Sequence, residues 1–285
     1  MNNQQLAEAF KAACMAEIEA LKPGNVHIFA DGHGMTVQDF IASADATSVV
    51  IAQPDLSLGQ RILQSVQATH KAVGKNTNLG MILLCAPMLH AALQANTDAG
   101  RITVDALQQH LNAVLTSTTI QDAEDTFAAI CLANPAGLGV SVRHDVNQAA
   151  CCTLLQAMQV AVERDLIARQ YENGFVQILQ IGLGSYQAAI KRWQNSAWAA
   201  TAVHLHLMAT EVDSHIARKF NHTIAKMVQA EAAAHEAEFL KLYNPKNYQA
   251  PLLRFDAELK KRGLNPGTSA DLTVATLLAV QLIQV

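Results

Sequence analysis

The chain has 285 residues, of which 51% are hydrophobic, 15% are charged and 5% are aromatic. A chain of this length and apolar content buries a substantial core, which excludes an intrinsically disordered protein. The formal net charge of -4 at pH 7 leaves no basic excess to neutralise a phosphate backbone. Nucleic-acid binding as the main function is therefore excluded, and an anionic substrate would need a local binding device.

The cysteines and the apolar runs predict a soluble, cytoplasmic protein. The 5 cysteines form no Cys-x-x-Cys pair and are odd in number, which favours reduced thiols over a disulfide framework. The N-terminal segment has no basic start followed by an apolar stretch, so it does not resemble a signal peptide. The most apolar runs, Leu79–Leu93 and Leu272–Val285, are shorter than the roughly 20 residues that span a bilayer.

Apolar residues recur at intervals of three and four along most of the chain, which predicts helices. The first helix begins near Leu6 and ends before residues 22–25, because proline and glycine interrupt helices. Thr36 and Asp39 form a candidate capping box for a second helix that runs to Pro54. Further helices are predicted at Leu58–Val73, Leu79–Leu93, Val104–Leu115, Ala123–Leu132, Val146–Arg169, Val176–Trp193, Ala197–Lys219, Thr223–Leu242, Pro251–Arg262 and Ala270–Ile283.

These segments predict an all-α fold. No repeat period and no linker divides the chain, so we expect residues 1–285 to form a single-domain multi-helix bundle. Typical helix and loop lengths give about 10–12 helices. Val176–Ile181 is the only segment with a modest strand pattern, and we assign it to a helix.

Polar residues gather at the breaks between the predicted helices, in greater number than turns require. Glycine allows close backbone approach to a ligand, lysine supplies charge, and histidine exchanges protons near neutral pH. Buried carboxylates and imidazoles are unfavourable unless they are paired, hydrogen-bonded or bound to metal. The clusters therefore predict an active site, and they lie at residues 22–34, 74–80, 143–145, 204–219 and 265–271.

The first two clusters also have structural explanations. Residues 22–25 can be an ordinary helix stop with solvated polar side chains. Thr77 or Asn78 can cap the following helix, whose backbone N–H groups would also suit a phosphate. Residues 74–80 are not a Walker A motif, because its spacing is missing.

The last two clusters have structural explanations as well. Glu211 and His215 are four residues apart, so on one continuous helix they would form an exposed pair, with Asp213 pointing elsewhere. In the final cluster, Thr268 or Ser269 can cap the last helix.

In this order the clusters resemble the triphosphoribosyl-dephospho-CoA synthase family, over most of the chain from about residue 22 to residue 271. The first motif is Lys-Pro-Gly-x-Val at residues 22–26, followed by the family's Phe-x-x-Ser at Phe40 and Ser43. The second motif is Asn-Thr-x-x-Gly at residues 76–80. The third is the closing Pro-Gly-x-Ser-Ala-Asp-Leu at residues 266–272.

The resemblance implies an all-α enzyme that displaces adenine from C1 of the ribose of ATP. The triphosphoribosyl group then passes to a hydroxyl of dephospho-CoA. ATP would be a substrate and Mg²⁺ the expected cofactor. The partners would be small-molecule nucleotides and cofactor precursors, without nucleic acid or membrane, and a homo-oligomer is left open.

This chemistry assigns candidate roles by residue type. A base for the acceptor hydroxyl and an acid for departing adenine are sought among His27, His33, Asp39, His144 and Asp213. Metal ligands are sought among Asp145, Asp213 and Asp271. Substrate and phosphate binding is assigned to Lys22, Gly24, Asn25, Ser43, Lys75, Asn76, Thr77, Asn78, Gly80, Arg143, Arg218, Lys219, Gly267 and Ser269.

Two departures from the family pattern suggest an altered nucleotide half and a different acceptor. Asn78 and Leu79 stand where the family has His-Lys, so one phosphate-binding lysine is lost unless Lys75 replaces it. The family's Gly-Ala-His-x-Asp-Met appears only as residues 32–35, without the Asp.

The chain also resembles a divergent branch of the family, which is linked to the synthesis of tetrahydromethanopterin in methanogens and methylotrophs. That cofactor contains an α-glycosidic bond from ribose to a ribitol hydroxyl, which inverting displacement at C1 of ATP would create. We therefore hypothesise a pterin-ribitol or arylamine-ribitol acceptor in place of dephospho-CoA.

Two alternatives come from other classes of protein. An HD-type metal phosphohydrolase is also all-α, and His110, His144, Asp145 and Asp213 provide its types of ligand. The other alternative is an inactive nucleotide-binding helical homologue, because residues of the family pattern are lost.

Overall fold

The computed structural model describes residues 1–95, 102–141 and 143–283. Within these ranges the chain is helical, and isolated bridges take the place of strands, so the all-α prediction is confirmed. Its α-helices are α1 (Asn3–Glu19), α2 (Val37–Ile51), α3 (Leu58–Val73), α4 (Leu79–Gln94), α5 (Val104–Thr116), α6 (Ile120–Ala133), α7 (Leu154–Gln159), α8 (Leu166–Asn173), α9 (Leu183–Trp193), α10 (Ser196–Thr210), α11 (Ser214–Lys219), α12 (His222–Phe239), α13 (Gln249–Lys261) and α14 (Gly267–Leu282). A π-helix, Gln177–Gly182, precedes α9, and a 3₁₀ helix, Pro245–Tyr248, precedes α13.

Helices α4 and α14 lie at the centre of the fold. Both are buried around most of their circumference, as expected for helices that are apolar on all sides. α14 packs against α1, α4, α10 and the π-helix, while α4 also packs against α3 and α5. α10, α12 and α13 build a second, smaller apolar cluster around Phe239 and Leu252. None of the described helices combines the length and apolar character that a bilayer crossing requires.

A proline inside α4 is accommodated by a hydroxyl from another helix. Pro87 has no N–H group, so it cannot donate to the carbonyl of Leu83 four residues earlier. The hydroxyl of Tyr171 in α8 donates to this carbonyl at 2.6 Å, which satisfies the buried acceptor. This bond ties α8 to the central helix.

The predicted helix Val146–Arg169 is wrong. Residues 146–153 are irregular, α7 begins after the capping residue Thr153, and α8 begins after the capping residue Asp165. Asp145 accepts hydrogen bonds from the backbone N–H groups of Ser141 at 2.6 Å and Asn147 at 2.9 Å. Such local bonds between side chain and backbone compete with helix formation.

The predicted helix Ala197–Lys219 is wrong for a similar reason. α10 ends at Thr210, and Asp213 caps the separate helix α11 by accepting from the N–H of Ile216 at 3.0 Å. Glu211 and His215 therefore do not share the face of one helix.

The start of the last helix also differs from its prediction. α14 already begins at Gly267, without a side-chain cap, so neither Thr268 nor Ser269 caps it. Instead the Ser269 N–H donates to Asp213 at 2.8 Å, and the Thr268 and Ser214 hydroxyls are 2.9 Å apart. These bonds join α11 to α14.

The segment Leu21–His27 is buried, so the interpretation of residues 22–25 as a solvated helix stop is wrong. Lys22 has 0% exposure and pairs with Glu17, which is also 0% exposed. Burial lowers the pKa of Lys22 and raises the pKa of Glu17, while their contact opposes both shifts. Removing either partner of such a buried ion pair would leave the other as an uncompensated charge in the core.

Removing Lys22 is expected to destabilise the fold, because Glu17 would keep a buried carboxylate without its partner. For Lys22→Met we expect the free energy of unfolding to fall by about 3–5 kcal/mol, measured by denaturant titration. The control is Lys11→Met, which breaks an ion pair with Asp45 in which both side chains are 50% exposed. Such an exposed pair contributes about 0.2–1 kcal/mol. Equal losses in both variants would contradict the importance of the buried pair.

Candidate functional site

A cleft of about 850 Å³ lies between α4, α6, α7, α8, α11 and the start of α14. The turn that carries Asn25 and His33 closes one side, and the loop with Arg143 and His144 closes another. This volume lies in the range of small-molecule sites, which are about 300–1,000 Å³. The cleft is therefore the candidate binding site.

The N-termini of three helices open onto this cleft. Its wall includes the first residues of α4 (Leu79, Gly80), α8 (Leu166, Ile167) and α14 (Gly267). The first backbone N–H groups of a helix lack partners within the helix, and its dipole is positive at this end. At α8 these N–H groups already donate to Ser214 and to its cap Asp165, so the N-termini of α4 and α14 are the ends that favour an anion here.

Cationic side chains add to this positive potential. The wall contains Arg143, Arg164, Arg169, Arg218 and Lys219, against the acidic residues Glu163, Asp165 and Asp271. A chain with a net charge of -4 therefore concentrates positive charge in its cleft. This local excess is the device that the composition requires for an anionic substrate.

Two of the arginines are held in place by carboxylates. Arg218 donates to Asp165 at 3.0 Å, and Asp165 also caps α8 by accepting from the Ile167 N–H at 2.8 Å. Arg169 Nη1 lies 3.4 Å from Glu211 Oε2. The sequence analysis missed Arg164 and Arg169 as site residues, because both lie outside the five polar clusters from which it drew its candidates.

Burial favours the neutral imidazole at two histidines of the cleft, His33 and His215. His33 Nε2 lies 2.8 Å from the carbonyl oxygen of Gly24, so this nitrogen carries the hydrogen and leaves Nδ1 as an acceptor. Desolvation lowers the pKa of His33 and lowers the pKa of His215 to about 4. His144 lines the cleft with its Nδ1 3.5 Å from the thiol of Cys151. His33 has the features of a general base.

Asp271 presents its carboxylate against the start of α4. A methyl group at Gly80 would overlap this carboxylate, so the close approach requires glycine. Burial raises the pKa of Asp271 well above its ordinary value, and Asp213 and Glu17 add to the shift. Within the described part of the chain, no side chain or backbone group donates a hydrogen bond to this carboxylate. The Asp271 carboxylate is therefore available to accept a hydrogen bond from a ligand or to bind a cation.

The structure brings together twelve of the predicted site residues, drawn from all five polar clusters, along the wall of the cleft. They are Asn25, His33, Asn76, Thr77, Asn78, Gly80, Arg143, His144, Arg218, Lys219, Gly267 and Asp271. The other predicted residues do not line it, and they are Lys22, Gly24, His27, Asp39, Ser43, Lys75, Asp145, Asp213 and Ser269.

Three predicted carboxylates are engaged in structural hydrogen bonds. Asp39 completes the predicted capping box with Thr36 and binds Lys75 at 2.8 Å. Asp145 holds the turn described above. Asp213 caps α11 and accepts from both the N–H and the hydroxyl of Ser269. The predicted metal ligands were Asp145, Asp213 and Asp271. Of these three, Asp271 is the one on the wall of the cleft.

The remaining predicted residues support the wall from behind. His27 is buried with its Nε2 3.4 Å from Asp256. Gly24 anchors His33 through its carbonyl, and the Ser43 hydroxyl lies 2.6 Å from the hydroxyl of Thr77. Lys75 donates to Asp39 and to the Gly34 carbonyl. It therefore does not replace the missing lysine of the family pattern.

The residues suggested for an HD-type metal centre do not come together. His144 lines the cleft, but His110 does not, and Asp145 and Asp213 are bonded within their own turns and caps. Over residues 1–95, 102–141 and 143–283, no group of three His, Cys, Asp or Glu side chains is arranged to hold a metal ion by protein ligands alone.

Fold and cleft together define an all-helical protein with a candidate small-molecule site whose wall carries an excess of basic side chains. Residues 3–285 match the sequence model of the ATP:dephospho-CoA triphosphoribosyl transferase family. The chain belongs to this family of enzymes, and the resemblance in its motifs is confirmed.

A solved structure agrees with the fold of this family. It comes from Archaeoglobus fulgidus, where the protein is named triphosphoribosyl-dephospho-CoA synthase as an unconfirmed assignment. The similarity has a TM-score of 0.64 at 21% identity and covers 86% of this chain and 97% of the other. No curated protein sequence matches this chain.

Gly80→Ala tests the close contact between α4 and Asp271. The added methyl group must displace this carboxylate and crowd Ile167, so we expect a loss of about 1–3 kcal/mol in stability together with a loss of activity. Gly184→Ala in α9 is the matched control, since its methyl group would meet open space. There the gain in helix propensity should stabilise by about 0.5–1 kcal/mol. Thermal unfolding measures both, and a stabilised, fully active Gly80→Ala would refute the contact.

His215 is expected to make stability depend on pH. Its pKa falls from 6.5 to about 4 on folding, so between these values the unfolded chain binds a proton that the folded chain does not. This contribution to stability is present above pH 6.5 and is lost as the pH falls towards 4. In His215→Gln, the drop in Tm over this range should be smaller than in the wild type. His70→Gln, at an exposed position on α3, serves as the control and should retain the wild-type slope.

Proposed function

We propose that this cleft binds ATP and transfers its triphosphoribosyl group to an acceptor hydroxyl with release of adenine. The observation that carries the proposal is the convergence of two helix N-termini, those of α4 and α14, and five cationic side chains on one cavity of a family member. A triphosphate has the size and charge that such a wall binds. The arginines and Lys219 would hold its oxygens, while the N-termini would supply backbone donors.

Mg²⁺ fits this cleft as an ion shared with the substrate. It is commonly bound by one or two carboxylates together with substrate phosphates, and Asp271 offers one unshared carboxylate at the wall. Bound there, Mg²⁺ would neutralise charge between the phosphates and Asp271. Asp145 and Asp213 are not used in this proposal, because their oxygens already accept backbone hydrogen bonds.

His33 and His144 fit the two proton transfers of the reaction. The acceptor oxygen forms a bond to C1 of the ribose as the bond from C1 to N9 of adenine breaks. His33 Nδ1 takes the hydroxyl proton, because its Nε2 is held by the Gly24 carbonyl. Protonated His144, on another loop of the cleft wall, would donate a proton to adenine. The proton lost by the acceptor thus balances the proton gained by the leaving group.

We further propose that the acceptor carries an aromatic ring, as in a pterin-ribitol or arylamine-ribitol precursor of tetrahydromethanopterin. The part of the cleft between α4, α6 and α7 is apolar, with Leu83, Phe127, Ile130, Leu154 and Met158 on its wall. A planar ring buries well against such side chains. The replacement of the family's His-Lys by Asn78 and Leu79 supports an acceptor other than dephospho-CoA.

Incubation of the purified protein with ATP, Mg²⁺ and each acceptor tests this function, with free adenine followed by chromatography. We expect adenine release with the ribitol acceptors. Release with dephospho-CoA alone would support the transferase and reject the acceptor, and no release with any acceptor would contradict the proposal. Arg218→Met should lower kcat/KM by about tenfold or more, since a charged hydrogen bond contributes about 1.5–3 kcal/mol. Lys226→Met removes an exposed charge that lies outside the cleft and should leave the rate unchanged.

The same assay separates the two alternatives. An HD-type phosphohydrolase would release phosphate without adenine, and it would require a firmly bound transition metal. An inactive homologue would bind ATP in calorimetry without any turnover. Both outcomes differ from adenine release that depends on an acceptor.

A further inference from the structure

A line of buried polar groups leads from the core to the cleft. It begins at Glu17, passes through the Lys22 ammonium to the amide of Asn25, and ends at the amide of Asn265. The Lys22 Nζ lies 3.2 Å from Asn25 Oδ1, and Asn25 Nδ2 lies 2.8 Å from Asn265 Oδ1. Lys22 and Glu17 are fully buried, Asn25 and Asn265 are 5% and 6% exposed, and both asparagines line the cleft.

The chemistry of the first donor fixes the direction of every later bond. A lysine ammonium has three hydrogens and no acceptor, so the group of Asn25 that faces it must be the carbonyl oxygen. Asn25 then turns its NH₂ group towards Asn265, and this donor must meet the Asn265 carbonyl. Rotation of either amide by 180° would place two donors or two acceptors against each other, at the cost of a buried unsatisfied pair.

The consequence lies at the end of the line, in the cleft. With its oxygen turned to Asn25, Asn265 presents its NH₂ group, and within the described ranges no hydrogen bond uses this Nδ2. The buried lysine thus sets the orientation of a neutral amide at the surface of the cleft. Asn265 itself was not among the residues that the sequence analysis assigned to the site.

We propose that the Asn265 amide is a specificity-determining donor that binds the 2′-hydroxyl oxygen of the ribosyl donor, in an orientation fixed by Lys22 and Asn25. The assignment to ribose rests on the proposed function. Gly24 anchors the proposed base His33, and its chain neighbour Asn25 holds Asn265. The base must reach a hydroxyl that attacks C1, and the 2′-hydroxyl is attached to the adjacent carbon.

The orientation of the amide can be tested without a ligand. In ¹⁵N-labelled protein, the Asn265 side-chain resonance is identified by its absence in Asn265→Asp. We expect its NH₂ hydrogens to exchange rapidly with solvent, while those of Asn25 are protected. Asn25→Asp keeps an oxygen towards Lys22 but places a second oxygen against Asn265, which should reverse the Asn265 amide and protect its hydrogens. Protected Asn265 hydrogens in the wild type, or no change in Asn25→Asp, would overturn the fixed orientation.

The contact with ribose is tested by equilibrium binding of ATP, 2′-deoxyATP and 3′-deoxyATP in the absence of an acceptor. We expect the wild type to bind 2′-deoxyATP about three- to tenfold more weakly than ATP, in line with the loss of one hydrogen bond. In Asn265→Ala this difference should disappear, whereas the ratio for 3′-deoxyATP should remain as in the wild type. A purely structural role of Asn265 would weaken the binding of all three nucleotides equally in Asn265→Ala. The ratios of their affinities would then stay unchanged, so the ratios separate the two roles.

The possible failures are distinguishable. If the wild type releases adenine from ATP but Asn265→Ala keeps the preference for ATP over 2′-deoxyATP, the ribose contact is overturned and the proposed function stands. If the wild type does not bind ATP, the proposed function and the ribose contact both fail, while amide exchange still decides the orientation. Equal binding of all three nucleotides by the wild type would overturn the contact as well.

Discussion

The burial of a lysine and a glutamate at the end of α1 is the constraint on which much of the structure depends. Two charges in the core are tolerated only as a pair, so the segment that carries Lys22 must fold back against α1 and Glu17. The next turn has Gly24 at φ 84°, where a side chain would overlap Pro266 and Leu259. The same turn therefore docks on the start of α14 and fixes one wall of the cleft.

This docking helps to explain how a weakly acidic protein gathers positive potential at one cleft. The central helices α4 and α14 begin at the same cavity, so their N-terminal dipoles act there together. α8 contributes Arg169 to the same wall, and its cap Asp165 orients Arg218. The carboxylates of Asp165 and Glu211 hold Arg218 and Arg169 in place. Positive charge at the cleft thus results from placement, since the composition contains no basic excess.

The helices could largely be predicted from the sequence because their apolar periodicity and caps are local, as Thr36 and Asp39 show. The predictions failed where a polar side chain bonds outside its own helix, as Asp213 does with Ser269. Each of the five polar clusters contributes residues to the wall of one cleft. Which members face it could not be predicted, because the burial of Lys22 is set by distant packing.

The motif residues therefore belong to two layers with different tasks. Asn76, Thr77 and Gly267 face the cavity, whereas Lys22 and Asp213 hold that surface from behind. The residues behind the wall form an inner layer, and a change there alters the geometry of the whole wall. The residues that face the cavity form an outer layer, and a change there alters which ligand fits. The departure from the family at residues 78 and 79 lies in the outer layer at the N-terminus of α4. Relative to the family pattern it removes a lysine from that end of the cleft, so the cations of the wall are those supplied by Arg143, Arg164, α8 and α11.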